Sequence, residues 1–207
     1  GRAMHEFVEQ LAKDERLRSL SFQNVKVVPF LGTPGAIQSD SWNTTTYSNT
    51  LATKVGNLLH CASYNLSAPM YVEGTKEKEL IESIDEIAKV LHMAETADIA
   101  LIGIGSMQDD SSIIKAEIRT REEYKELVRK GAVGEIVGRI YDKNGQTVDE
   151  DLKRKMVGIS LDKIAKIPVR VGMSYGKDKI EAIKGAIAGG LVNVLVTDVP
   201  TAELLLK

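Results

Sequence analysis

One cysteine, five prolines, three phenylalanines and one tryptophan among 207 residues leave several protein classes without their raw material. Cys61 has no partner in the chain, which excludes a disulfide-stapled scaffold and fits a reducing cytoplasm. No apolar run reaches the ~18 residues that a membrane-spanning helix needs. The first residues, Gly1 to Glu6, show no charged-then-apolar signal pattern. Charge of one sign is lacking too: 27 Lys and Arg are interspersed with 29 Asp and Glu, for a formal charge of −2. A nucleic-acid surface draws its affinity from Lys and Arg that neutralise phosphates, so DNA binding is not expected of these residues. His5, His60 and His92 fall on or at the ends of expected helices, none at metal-ligand spacing from another His, Cys or carboxylate. No Walker loop or Gly-x-Ser-x-Gly elbow is present. Neither a metal, a cofactor nor a catalytic group is therefore expected.

What is there is an ordinary globular balance, 43% hydrophobic and 27% charged, in a length that suits a single domain over residues 1–207. Short Val- and Ile-rich runs at 25–29, 99–104, 156–160, 169–173 and 193–197 read as strands. Their continuous hydrophobicity suggests a parallel sheet covered on both faces. Helical spacing appears between them, at 6–17 (Phe7, Val8, Leu11), 76–92 (Leu80, Ile84, Ile87, Ala88, Leu91), 177–188 (Ile180, Ile183, Ile187) and 201–207. Strands alternating with helices predict an α/β fold with a largely parallel sheet. Residues 134–148 break this rhythm and read as a polar hairpin about the turn Asp142-Lys143-Asn144-Gly145, a flap or an interface. Cys61, in an apolar stretch, reads as core. A helical pattern starts almost at once, whereas an α/β domain usually opens with a strand, so a first strand is expected upstream of Gly1.

In open α/β sheets, ligands bind beyond the carboxyl ends of the strands. Gly103-Ile104-Gly105-Ser106 follows the strongest strand, and its glycines would let the backbone approach a ligand; a plain tight turn explains the same residues. It lacks the third glycine and immediate helix of a dinucleotide fingerprint. Gly176-Lys177-Asp178-Lys179 precedes a helix, where a lysine can add charge to an anion site or simply be solvated. Glu135, at the start of the hairpin, can accept two sugar hydroxyls, or lie exposed at a strand end. Residues 32–46 are too long and polar for a simple connector and read as a binding loop. Trp42 within them could stack on a sugar ring or anchor its own loop. Asp109-Asp110 and Lys153-Arg154-Lys155 read as solvated faces.

The order of short motifs carries more than any one of them. Gly1-Arg2-Ala3 opens a helix, followed by Val27-Val28-Pro29 with Gly32, Asn49 before Leu51-Ala52, and Ala68-Pro69. Then come the block from Asp98 to Gly105, the block Gly131-Ala132-Val133-Gly134-Glu135-Ile136, the block from Tyr141 to Gly145, Gly176-x-x-Lys179-x-x-Ala182-Ile183, and the block from Asn193 to Asp198. Over nearly its whole length this series resembles the sugar-binding domain of SorC-family bacterial regulators. The resemblance implies a Rossmann-like three-layer fold, related to sugar-phosphate isomerases and glucosamine-phosphate deaminases. It implies a non-catalytic effector domain that binds a sugar or sugar phosphate and responds by changing assembly, as a homodimer or homotetramer, and operator affinity. DNA would be bound by an N-terminal helix-turn-helix outside these residues. Carried over by position, Gly1, Arg2 and Ala3 match the phosphate-side loop, Gly32 and Thr33 a second loop, and Gly103 and Gly105, with Ser106, a third. Glu135 matches the hydroxyl-contacting acid and Lys179 the helix-start lysine. Two departures thin out the phosphate ligands: Ala3 stands where members often have Thr, and Leu31 where some phosphate-binding members have Arg, though Arg2 could compensate. The alternative within the same fold is a sugar-phosphate isomerase or amino-sugar-phosphate deaminase, with Glu135 and Lys179 as its acid–base groups.

Overall fold

A computed structural model describes residues 2–34, 47–108, 111–115 and 117–207. Helix α1 (Arg2–Leu11) puts Val8, Met4 and Phe7 against Leu51 and Val55 of α2 (Ser48–Leu59). The helical pattern expected to reach residue 17 stops at Leu11 and resumes as a 3-10 turn, Glu15–Ser19. Asp14 is the reason: its side chain accepts from Arg16 N at 3.0 Å, a local bond that competes with continued helix. Beneath α2 lie two short parallel strands, β1 (Lys26–Val27) and β2 (Ala62–Ser63).

The pattern at 76–92 likewise divides, into α3 (Thr75–Glu82) and α4 (Asp85–Glu95). Ser83 Oγ donates back to Leu80 O at 2.7 Å, Ile84 turns extended, and Asp85 and Glu86 start α4 where negative charge suits the helix dipole.

The main parallel sheet has the order β3 (Ile99–Gly103), β7 (Val169–Met173), β8 (Val194–Val196). Arg170 and Asn193 tie its entry together: Asn193 Oδ1 accepts from Arg170 N at 2.7 Å, and Asn193 Nδ2 donates to Pro168 O at 2.8 Å. On one face, Ala100 and Ile102 pack against Ile183 and Ala186 of α9 (Ile180–Ala188) in the largest buried cluster. Full burial of an isoleucine such as Ile102 or Ile183 contributes roughly 1.5–3 kcal/mol. The other face is only partly covered. Met4 of α1 reaches Gly103, while Ile99, Val194 and Val196 remain 57%, 44% and 51% exposed. Continuous hydrophobicity therefore overstates the covering among the described residues.

A second, antiparallel sheet joins β4 (Gly105–Ser106), β5 (Ala132–Ile136) and β6 (Arg139–Asp142). Residues 134–148 are a meander rather than one hairpin, because the chain already reverses at Val137-Gly138 before the expected turn at Asp142-Gly145. Nor is this segment a polar flap: Ile136, Ile140 and Tyr141 are fully buried. The run at 156–160 belongs to neither sheet. It lies extended between 30–32 and 70–72, with antiparallel bridges to Leu31 and Tyr71. Buried Arg139 pins it there, donating to Met156 O at 3.3 Å and Gly158 O at 3.1 Å. Burial lowers the Arg139 guanidinium to about 10, opposed by the charge of Glu82. Cys61 is half-buried rather than core. Helix α5 (Ser112–Lys115), α6 (Arg121–Arg129), α7 (Glu150–Lys155), α8 (Leu161–Ile164) and α10 (Val199–Leu205) complete the described elements. None of the described helices is long and apolar enough to cross a membrane.

Candidate functional site

At the carboxyl end of β3 the chain changes sheets. Ile104 still belongs to the parallel ladder, donating its N–H to Met173 O at 3.1 Å and accepting from Ser174 Oγ at 3.0 Å. Gly105 and Ser106 then turn away to pair with Glu135 and Gly134. One short segment thus touches both the end of β7 and the start of the antiparallel sheet.

The Gly105–Glu135 pair leaves no room for a side chain on the first residue. A Cβ at Gly105 would lie 2.6 Å from Glu135 Cγ and 3.1 Å from its Oε1. Glu135 Oε2 accepts from Ser111 Oγ at 2.6 Å and from Tyr124 OH at 3.4 Å. Ser111 and Tyr124 are themselves buried, so the carboxylate is held from below by two hydroxyls. Its charge adds to burial in pushing the Tyr141 phenol well above its ordinary range.

Lys179 comes from the other side. After β7 the loop passes Gly176, whose N–H donates to Thr201 Oγ1 at 2.8 Å, and a 3-10 turn, Lys177–Lys179, leads into α9. That turn carries Lys179 Nζ to 2.7 Å from Ser106 Oγ, to which it donates. Asp178 completes a triangle: its Oδ2 lies 3.1 Å from Lys179 Nζ and accepts from Ser106 Oγ at 3.2 Å. Partial burial pushes the Asp178 carboxyl up, but the hydrogen bond and charge of Lys179, with the bond from Ser106, hold it below its ordinary 3.8. Carboxylates and an ammonium around a polar rim can accept and donate hydrogen bonds to vicinal hydroxyls in the pattern a carbohydrate presents.

Of the residues expected to form the site, Gly105 pairs with Glu135 and Ser106 binds Lys179, so that both partners meet successive residues of β4. Gly103 and α1 adjoin them, since a Cβ on Gly103 would touch Met4 Cγ at 3.5 Å, which places Ala3 in the helix turn beside that strand end. Gly1 lies outside the described residues, as does the side chain of Arg2. Gly32 and Thr33 have a different set of partners. A Cβ on Gly32 would strike Pro69 O at 2.5 Å, so glycine is required there by the chain's own backbone. Thr33 N donates to Ala68 O at 2.9 Å, its Oγ1 reaches the same oxygen at 3.3 Å, and Thr33 O accepts from Met70 N at 2.6 Å. These contacts explain both residues without a ligand. The loop that follows, with Trp42, and the pair Asp109-Asp110 lie outside the described residues. Sequence reasoning missed Ser111 and Tyr124, which lie 24 and 11 residues from Glu135. It quoted Asp178 without a role, although its adjacency to Lys179 was a usable signal.

A family model described as "Putative sugar-binding domain" matches residues 1–207. The transcriptional regulator LsrR of Escherichia coli O9:H4 (strain HS) is 35% identical over 159 residues, 75% of this chain and 50% of that protein. LsrR of Enterobacter sp. (strain 638) is 33% identical over 149 residues, 70% of this chain and 46% of that protein. The chain thus spans about half the length of the curated relatives it matches. Among solved structures, the full-length sorbitol operon regulator SorC from Klebsiella pneumoniae superposes with a TM-score of 0.85 at 29% identity, covering 100% of this chain and 64% of that one. A DeoR family transcriptional regulator from Listeria monocytogenes shares the fold, with a TM-score of 0.79 at 24% identity over 99% of this chain and 84% of that one.

Proposed function

The chain belongs to the sugar-binding domain family of SorC-type transcription regulators, and from that premise we propose that it is a non-catalytic receptor whose effector is a sugar or sugar phosphate. The single observation that carries this reading is that Gly105 and Ser106, just beyond the carboxyl end of β3, meet Glu135 and Lys179 respectively. That is where a Rossmann-like sheet presents its ligands, and the parallel β3–β7–β8 order supports such a kinship, with sugar-phosphate isomerases and deaminases as relatives in fold. Gly103 and the first turn of α1 at Ala3 belong to the same proposed rim, whereas Gly32 and Thr33 are held by Ala68 to Met70.

In this reading the effector binds one conformation or assembly of the protein more tightly and shifts the population toward it. A homodimer or homotetramer reads out the shift through operator DNA, bound by a segment outside this chain. The isomerase or deaminase alternative would draft Glu135 and Lys179 as its acid–base groups, and the similar proteins, named as transcriptional regulators, do not favour it.

A thermal-shift screen of free sugars and sugar phosphates tests the proposal. Ligand at a hundredfold its Kd stabilises the folded state by about 2.7 kcal/mol, so at least one compound is expected to raise the melting temperature in a concentration-dependent way. Absence of any stabilising compound at millimolar concentration would overturn it.

A further inference from the structure

Lys179, the Ser106 hydroxyl and the first turn before α9 form the kind of corner that attracts an anion, and in this chain the corner already contains one. The Asp178 carboxylate sits 3.1 Å from Lys179 Nζ and accepts from Ser106 Oγ at 3.2 Å, while Lys179 itself donates to the same hydroxyl at 2.7 Å. Ser106 is buried and Lys179 only 17% exposed, whereas Asp178 is 50% exposed and forms the outer edge of the triangle. Glu135 pairs with Gly105, one residue before Ser106, and its carboxylate turns to Ser111 and Tyr124.

We propose that Asp178 occupies from within the chain the anion position of the Lys179 corner, so that this corner receives an uncharged, hydroxyl-bearing end of the effector and disfavours a phosphoryl group. The inference rests on the receptor reading above and adds to it the charge of the ligand at one end of the site. A hydroxyl can donate to Asp178 and accept from Lys179 with no charge displaced. A phosphoryl group brings between one and two negative charges at neutral pH and is repelled by the Asp178 carboxylate already on Lys179. Asp178 is thus a specificity-determining residue: it sets what Lys179 can hold.

Inorganic phosphate is the probe that isolates this role. Its stabilisation of the wild-type chain, Asp178→Asn and the double variant Asp178→Asn/Lys179→Met is measured by thermal shift at constant ionic strength. Asparagine keeps the shape and an oxygen acceptor while removing the charge. Phosphate is expected to act on Asp178→Asn at about tenfold lower concentration than on wild type, a modest factor because solvent screens a half-exposed charge. The gain is expected to vanish in the double variant. Equal phosphate responses of wild type and Asp178→Asn, or a gain that survives loss of Lys179, overturn the assignment. A gain that depends on Lys179, in a chain that responds to no sugar in the screen above, leaves Asp178 as the internal anion and removes the carbohydrate reading instead.

Discussion

Gly105 faces Glu135 across the β4–β5 ladder so closely that a methyl group on the glycine would lie 2.6 Å from Glu135 Cγ. The absence of a side chain at one position therefore sets the direction of a carboxylate at another. Gly105→Ala is expected to swing the Glu135 side chain off the Ser111 hydroxyl. Overpacking of this kind costs about 1–3 kcal/mol, so the variant should still fold. An effector found in the sugar screen is expected to bind it at least about tenfold more weakly. Circular dichroism and calorimetric titration check the two halves; unchanged affinity in a folded variant would contradict the placement of Glu135.

Arg139 should matter for stability rather than for ligand. It is buried, with Met156 O and Gly158 O as acceptors, and its Nε has no hydrogen-bond partner among the described residues. Arg139→Met keeps much of the volume but leaves two buried carbonyls without their donor, a loss of about 2–4 kcal/mol. Urea denaturation is expected to show a lower midpoint with an unchanged slope. A midpoint equal to that of wild type would mean that the 156–158 segment is held by its backbone bonds alone.

Acid should weaken the fold through particular carboxylates. The Thr120 backbone N–H, then the Thr120 hydroxyl, hold Glu123 below its ordinary 4.5. Bonds from Lys155 and Arg119, acting against partial burial, hold Asp151 below 3.8, and Asp178 is lowered by Lys179 and Ser106 against its own burial. A carboxylate lowered in the folded state binds fewer protons there than in the unfolded chain. Its stabilisation is therefore present above the ordinary value and is lost as pH falls through the folded one. Melting temperature is expected to be flat from neutrality to about pH 5 on this count and to fall progressively below pH 4.5. Thr120→Val, which removes the hydroxyl from the α6 capping box, should make the acid limb shallower; an identical acid limb would contradict the role of Glu123.

The parts legible in the sequence were those whose physics is local. The run at 99–103 is a strand because it is apolar throughout, and 169–173 because Arg170 alone interrupts its apolar residues; the Asn144-Gly145 turn formed as its residues require, with Gly145 at φ +74° and the Asp142 side chain accepting from Asn144 N and Gln146 N at 2.9 Å each. Val137-Gly138 was not legible. Both residues have positive φ, +51° and +67°, in a tight reversal where a β-branched residue stands in place of the usual Asn or Asp. Glu135 and Lys179 could be picked out because each has chemistry next to a glycine-rich turn. Ser111 and Tyr124 could not, since only the folded chain brings them to the Glu135 carboxylate.

The receptor reading depends on Glu135 and Lys179 gripping the same small molecule. Calorimetric titration of a stabilising sugar into wild type, Glu135→Gln and Lys179→Met tests this most directly. Each substitution is expected to weaken binding at least about tenfold, equivalent to about 1.4 kcal/mol, with the chain still folded. Wild-type affinity in both variants would show that the ligand sits elsewhere and would contradict the site.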